Sequence, residues 1–347
     1  MVDELAFKFW SERKDYYWKN GKPTSEHSAY EAVAKVLCRQ YRSVRIDEFG
    51  PLRFKALREF WVQKGLSRSV VNRNARKVVE IFRWGVENEM VPPEVCQRLK
   101  AVKGLKRGRT AAPEPVPVMP VDLAVVEATI RHLSPVVRDM IRVQLLTGAR
   151  PGEVCKLRPM DVDRSADVWE YIPSSHKTEH HGRARKLFIG PECQAVLLPY
   201  LLRASDAFCF SAAESREWFR QQAADSRTTP STCGNARGRK RDPRDGQGTR
   251  QPREYFDTQT YGQAIKRACR KAWPCPKSIS KDKAARAKWE SEHAWAPNQL
   301  RHTRGTAVRA SHGLEAAQVI LGHATADVTQ LYAERDEVLA RKVAASR

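Results

Sequence analysis

No stretch of this chain carries the roughly 18 consecutive apolar residues that a membrane-crossing helix needs, and no basic amphipathic helix stands apart as a membrane-surface anchor would. Met1 to Trp10 places acids early and has no apolar segment of the kind a secretory leader requires, so a cytoplasmic chain is expected. The eight cysteines are scattered from Cys38 to Cys275 with no CxxC pair. That spacing argues against a disulfide framework or a zinc cage and for reduced, mostly buried thiols. Acids are also short: 40 Asp and Glu face 62 Lys and Arg, leaving a net charge of +22. Such an excess goes beyond what solubility asks for and suits a polyanionic partner.

At 347 residues the chain is long enough for two domains, each with its own core. Residues 1–103 read as a compact helical domain. Its clearest helix starts at Ser67 as N-cap and runs to about Met90, with Val71, Ala75, Val78, Phe82, Val86 and Met90 forming one apolar ridge at spacings of three and four. Pro92 and Pro93 stop it. Arg68, Arg73, Arg76, Lys77 and Arg83 occupy the other face, which reads as a solvated surface given the nearby Glu80 and Glu87. Earlier helices are expected over Leu5 to Trp18, Ser25 to Arg42 and Pro51 to Lys64. Residues 104–120 hold Lys106, Arg107 and Arg109 followed by Pro113, Pro115, Pro117 and Pro120, so they read as an extended basic linker between domains.

Residues 121–347 form the second domain. Helices are expected from Val121 to Leu133 and from Pro135 to Leu146, with Gly148 just past the end of the latter. Pro151 suits the first position of a further helix, so Arg150 projects from a helix start where unpaired N–H groups attract an anion, and Glu153 can hold its guanidinium or cap the backbone. Residues 168–172 and 185–189 read as strands flanking a polar hairpin that carries Lys177. Lys177 alone is equally a solvated hairpin lysine. His176, His180 and His181 lie in the same hairpin, but no Cys or carboxylate completes a metal spacing, and no metal or other cofactor is expected. Residues 225–253 are rich in Arg, Gly, Ser, Thr and Pro and nearly free of large apolar residues, which predicts a flexible insertion. A helix over Thr258 to Ala272 and a basic segment from Lys277 to Lys288 follow.

Two motifs close the chain. After Pro297 a helix can begin, with Asn298 and Arg301 on one face and His302 directed elsewhere, as a core or supporting histidine. Gly322 ends a helix carrying Val319 and Ile320, His323 sits in the turn, and Thr325 caps a second helix on which Val328, Leu331 and Tyr332 share a face. Taken alone, Tyr332 reads as a half-buried core aromatic and His323 as a turn residue. What favours chemistry is the company of basic residues suited to a phosphate.

The order of these groups resembles the tyrosine recombinase family, the phage-type integrases. There an Arg, a hairpin Lys, a His-x-x-Arg box, a His or Trp and a nucleophilic Tyr follow one another, and Arg150, Lys177, Arg301, His323 and Tyr332 match them in turn. Asn298 departs from the pattern, standing where many members have His. The resemblance implies a mainly α fold with a small antiparallel β-sheet: an N-terminal helical core-binding domain followed by an α+β catalytic domain. It implies cleavage of duplex DNA without metal or nucleotide, through a 3′-phosphotyrosyl bond, by a homo-tetramer on inverted sites. It also implies association with the nucleoid and no membrane or small-molecule partner. The residue chemistry fits: paired guanidiniums offset charge on a phosphoryl group, a phenol attacks, and an ammonium protonates the leaving oxygen. The alternatives are a type IB topoisomerase-like enzyme with the same chemistry and a DNA-binding protein whose catalysis is impaired at Asn298. A metal-dependent nuclease would need a carboxylate cluster that the sequence lacks.

Overall fold

The computed structural model describes residues 1–19, 21–115, 117–174, 185–228 and 253–322. The chain divides into two compact units, Met1–Pro117 and Val118–Arg347.

Among its described residues the first unit is a bundle of five α-helices: α1 (Val2–Arg13), α2 (Ser25–Gln40), α3 (Pro51–Gln63), α4 (Arg68–Glu87) and α5 (Pro93–Lys100). A two-strand ribbon, β1 (Trp18–Lys19) and β2 (Lys22–Pro23), joins α1 to α2. On α4 the apolar ridge is turned inward, and Val71, Val78 and Phe82 are fully buried beside Leu5, Leu37, Phe49 and Leu99. Each such side chain contributes about 1.5–3 kcal/mol by leaving water. Helix α4 ends at Glu87, short of the expected Met90, and Glu89 takes the left-handed conformation (φ 57°), so the turn closes before the proline pair; Pro92 and Pro93 instead serve as N-cap and first residue of α5, a helix that the pair masks in the sequence.

Lys77 corrects the reading of the basic face of α4. It is 4% exposed, paired with Glu26 of α2, and its ammonium lies 3.8 Å from the centroid of the Tyr30 ring. An aromatic face and a carboxylate together stand in for its water. The stretch after Val102 has no regular element, yet part of it is fastened to α4. Glu114 takes a forked contact from Arg68, with Nε at 2.5 Å and Nη2 at 3.2 Å, and Asn72 exchanges two hydrogen bonds with the backbone of Leu105.

The second unit begins with α6 (Leu123–Ile130), N-capped by Asp122, and α7 (Pro135–Thr147). A short helix, α8 (Pro151–Cys155), leads into an antiparallel sheet in the order β3 (Val162–Asp163), β4 (Trp169–Tyr171), β5 (Leu187–Ile189), with Tyr171 opposite Leu187. Then come α9 (Pro191–Leu201), α10 (Ala212–Asp225), α11 (Thr258–Ala272), α12 (Lys283–Glu292) and α13 (Pro297–Leu321). Helix α13 is broken at Gly313, where φ is 85°. Helix α7 is central, packed against α8, α9, α10, α13 and β5. Its Val137, Met140 and Ile141 are wholly buried. The insertion expected at 225–253 falls almost entirely outside the described residues.

Among the described residues no helix is long and apolar enough to cross a membrane.

Candidate active site

Helix α7 ends as its sequence predicts: Gly148 takes the left-handed conformation, φ 67° and ψ 18°, just past Thr147. The chain turns at once into α8, whose N-cap is Arg150 and whose first residue is Pro151. Glu153 does both things open to it. Its Oε2 accepts the Arg150 backbone N–H at 2.8 Å, and its Oε1 accepts Nη1 of the same residue at 2.9 Å. The carboxylate is buried while the Arg150 side chain remains 26% exposed, so the guanidinium is aimed by a fixed anion and keeps a solvent-facing side. Since α8 is only five residues long, the positive charge at this place comes from the guanidinium more than from the helix dipole.

Arg301 comes from the second turn of α13 and is 1% exposed. Its Nη1 donates to the carbonyl of Gly148 at 2.6 Å and its Nη2 to the carbonyl of Leu321 at 2.5 Å. These carbonyls stand at the ends of α7 and α13, where no backbone partner remains, so one guanidinium gathers the two helix C-termini. Gly148 is two residues before Arg150, and Leu321 is two residues before His323. The start of α13 is held separately. Fully buried Gln144 donates from Nε2 to the Pro297 carbonyl at 2.9 Å and accepts from the Tyr261 hydroxyl at 3.1 Å. Burial raises the Tyr261 phenol well above its ordinary pKa and keeps it a donor. Thr303 is tied to Val121 through both its carbonyl and its N–H.

Asn298 lies one turn before Arg301, half-buried, with Nδ2 3.3 Å from Nε2 of His302. With His302 protonated on Nδ1, the amide donates along its own helix. His302 is itself buried.

A third guanidinium, absent from the sequence reading of the site, joins this group. Arg185 has its Nε 3.6 Å from Oε1 of Glu153 and its Nη2 3.5 Å from the carbonyl of Ile320. Burial lowers its pKa, Glu153 opposes that and Arg150 adds to it. A signal for it exists: on a strand, Arg185 falls on the same face as Leu187 and Ile189, both buried, and a charge on an inward face needs a partner.

The structure thus brings together Arg150, Glu153, Arg185 and Arg301, with Asn298 and His302 on the same helix as Arg301. Lys177, His323 and Tyr332 lie outside the described residues, as do His176, His180 and His181. Among the described residues no three His, Cys, Asp or Glu side chains are grouped to hold a metal ion.

The chain has the fold of the tyrosine recombinases. It is similar to the Tn1549 transposon integrase, solved in complex with circular intermediate DNA, with a TM-score of 0.61 and 17% identity over 100% of this chain and 99% of that one. A lambda integrase dimer bound to a COC′ core site matches with a TM-score of 0.60 and 13% identity, covering 95% of each chain. The XerH site-specific recombinase bound to its difH substrate matches with a TM-score of 0.52 and 12% identity, over 98% of this chain and 84% of that one. No protein-family model and no curated protein sequence matches the chain.

Proposed function

We propose that the chain is a site-specific DNA recombinase that cuts and rejoins duplex strands through a tyrosine-linked intermediate. The observation that carries this reading is the convergence of Arg150 and Arg301, drawn from the start of α8 and from α13, beside a buried Glu153, in a fold shared with integrases solved on DNA. Two guanidiniums grip non-bridging oxygens of one phosphate and offset the charge that grows as the phosphorus becomes five-coordinate. The Tyr332 oxygen attacks the phosphorus, the bond from phosphorus to the 5′-oxygen breaks, and Lys177 supplies the proton that lets that oxygen leave as a hydroxyl. The proton of Tyr332 passes to His323 or to water. The energy of the broken ester is kept in the phosphotyrosyl bond, and attack by another strand's 5′-hydroxyl reverses the chemistry without ATP. Neither step calls for a metal, because the side chains supply the charge and the proton.

On this reading, residues 118–347 are the catalytic part, and the helical unit before them grips the duplex, with Arg73 and Arg76 exposed on α4 as its phosphate contacts. Recombination on inverted sites requires four copies, and a homo-tetramer on two DNA sites is the expected assembly.

The test is covalent trapping. Protein incubated with genomic fragments of its host is denatured, and the DNA that stays attached is recovered and sequenced. The wild type leaves a phosphotyrosyl adduct on a recurring sequence. Tyr332→Phe retains DNA in native binding but leaves none after denaturation. An adduct that persists in Tyr332→Phe assigns the nucleophile elsewhere, and a wild type that traps no DNA defeats the recombinase reading.

A further inference from the structure

Gly322 is the C-cap of α13, with φ 60° and ψ 50°, and a side chain there would not only be strained. A Cβ built on Gly322 would overlap Nη1 of Arg185 and lie 2.8 Å from its Cζ. The guanidinium is therefore packed against the backbone of Gly322, with Nη2 3.5 Å from the Ile320 carbonyl near the end of α13. Its own strand, β5, starts two residues later, at the exit of the hairpin that carries Lys177 in the sequence. Its Nε faces the same Glu153 oxygen that holds Arg150, and at 3.6 Å that contact is an ion pair without a hydrogen bond. Among the described residues no hydrogen-bond acceptor meets this Nε. A charge this deeply buried, with long polar contacts and a tight backbone contact, is fixed by the shape around it.

We infer that Arg185 is a positioning residue for the recombination chemistry: its guanidinium wedges between Glu153 and Gly322 and sets the C-terminal end of α13 relative to Arg150. The inference rests on the recombinase reading above. Glu153 is shared, so one carboxylate fixes the direction of Arg150 and the depth of Arg185 together. Arg185 in turn fixes how closely the end of α13 approaches. Cations at a helix C-terminus also offset its partial negative charge, and Arg185 and Arg301 take adjacent carbonyls of that end, Ile320 and Leu321. Arg185 is buried and touches no substrate in this account. Its effect on the reaction passes through Arg150 and the end of α13.

The contact predicts coupling between two substitutions distant in sequence. Gly322→Ala pushes its methyl into the space of Nη1, and the side-chain end of Arg185 is what must move. The experiment is a double-mutant cycle with Gly322→Ala and Arg185→Met. It measures single-turnover adduct formation on the DNA recovered by trapping, native DNA affinity, and melting of the DNA-free proteins. Arg185→Met should slow adduct formation about 100-fold, the scale of an ångström-sized misplacement, with DNA affinity changed less than about threefold because no DNA contact is lost. Gly322→Ala should slow it similarly alone, but by less than about tenfold when Arg185 is already Met, the remainder being backbone strain. Arg185→Lys, which keeps the charge and lacks the Nη atoms, serves as the second background if Met does not fold, and should give the same reduced penalty. Multiplicative losses in adduct formation, or an Arg185→Met protein that reacts at the wild-type rate, overturn the role of Arg185. A wild type that forms no adduct removes the recombinase reading and this role with it. Coupling in the melting temperatures then reports the contact between Arg185 and Gly322 by itself.

Discussion

Replacing Arg301 with lysine separates what that side chain does for the fold from what it does for a phosphate. One planar guanidinium reaches the Gly148 carbonyl at 2.6 Å and the Leu321 carbonyl at 2.5 Å, on two different helix ends. An ammonium is a single point at the end of a flexible stem and can satisfy only one of them at that range. The lost charge-assisted hydrogen bond is worth about 1.5–3 kcal/mol, and with Arg301 1% exposed the abandoned carbonyl has little water to replace it. A net loss of about 2 kcal/mol lowers the melting temperature of a unit this size by roughly 4–8 °C. Removal of the phosphate fork should slow adduct formation a further way, by about 10²–10³, the usual cost of a missing donor to a developing anion. Circular dichroism melting of the DNA-free variant measures the first effect, and single-turnover trapping well below the melting temperature measures the second. A variant that melts within 1 °C of wild type, taking that as roughly the reproducibility of such a scan, would refute the helix-gathering role. A destabilised variant with an unchanged rate would refute the phosphate role alone.

Three further outcomes follow from the same residues. Lys177→Ala should react about 10²–10⁴ more slowly on ordinary DNA and recover when the 5′-leaving oxygen is replaced by sulfur, which departs without a proton; no recovery would move Lys177 from acid to phosphate contact. Asn298→His should change the adduct rate by less than about tenfold, since the amide at this place orients His302 and does not titrate; a silent wild type restored by the histidine would mark the site as decayed. Burial pushes the thiols of Cys155, Cys193 and Cys209 up to about 12, from an ordinary 9.0, so they stay protonated in the folded chain while they ionise in the unfolded one. Their contribution to stability is complete below pH 9 and declines as pH rises from there toward 12. Urea midpoints should drop over that window, and alkylation at pH 8 followed by mass spectrometry should leave these three unlabelled in the native protein. Labelling of all three without denaturant would contradict the burial.

The parts of the fold that a reader of the sequence could see are those governed by local rules. The apolar ridge of α4 from Val71 to Phe82, the glycine stops at Gly148 and Gly322, and the Pro151 helix start with Glu153 three residues after Arg150 appear in the structure where the spacing puts them, while Met90, expected on the same helix, falls beyond its end at Glu87. What escaped depends on distant segments. Lys77 looks solvated within its own helix and is buried only because Glu26 and Tyr30 arrive from α2. The two residues of β3 have no periodicity to detect, and exist because β4 lies alongside. The β5 run was visible as a strand, and its alternation already puts Arg185 on the inward face with Leu187, but which carboxylate would meet it there is set by Glu153 from α8. The pairing of Arg301 with two helix ends likewise has no local signature, because a sequence does not reveal which carbonyls will lie within reach of a fork.

The bond from Arg301 to Gly148 joins positions 153 residues apart. A growing chain that has delivered only α7 and α8 therefore holds Arg150 and Glu153 but not Arg301, the guanidinium that closes on Gly148. Synthesis must pass the start of α13 before the two guanidiniums can meet, and any opening of the second unit that releases α13 separates them. On the recombinase proposal, this ties the ability to cut DNA to the completeness of the chain that does it.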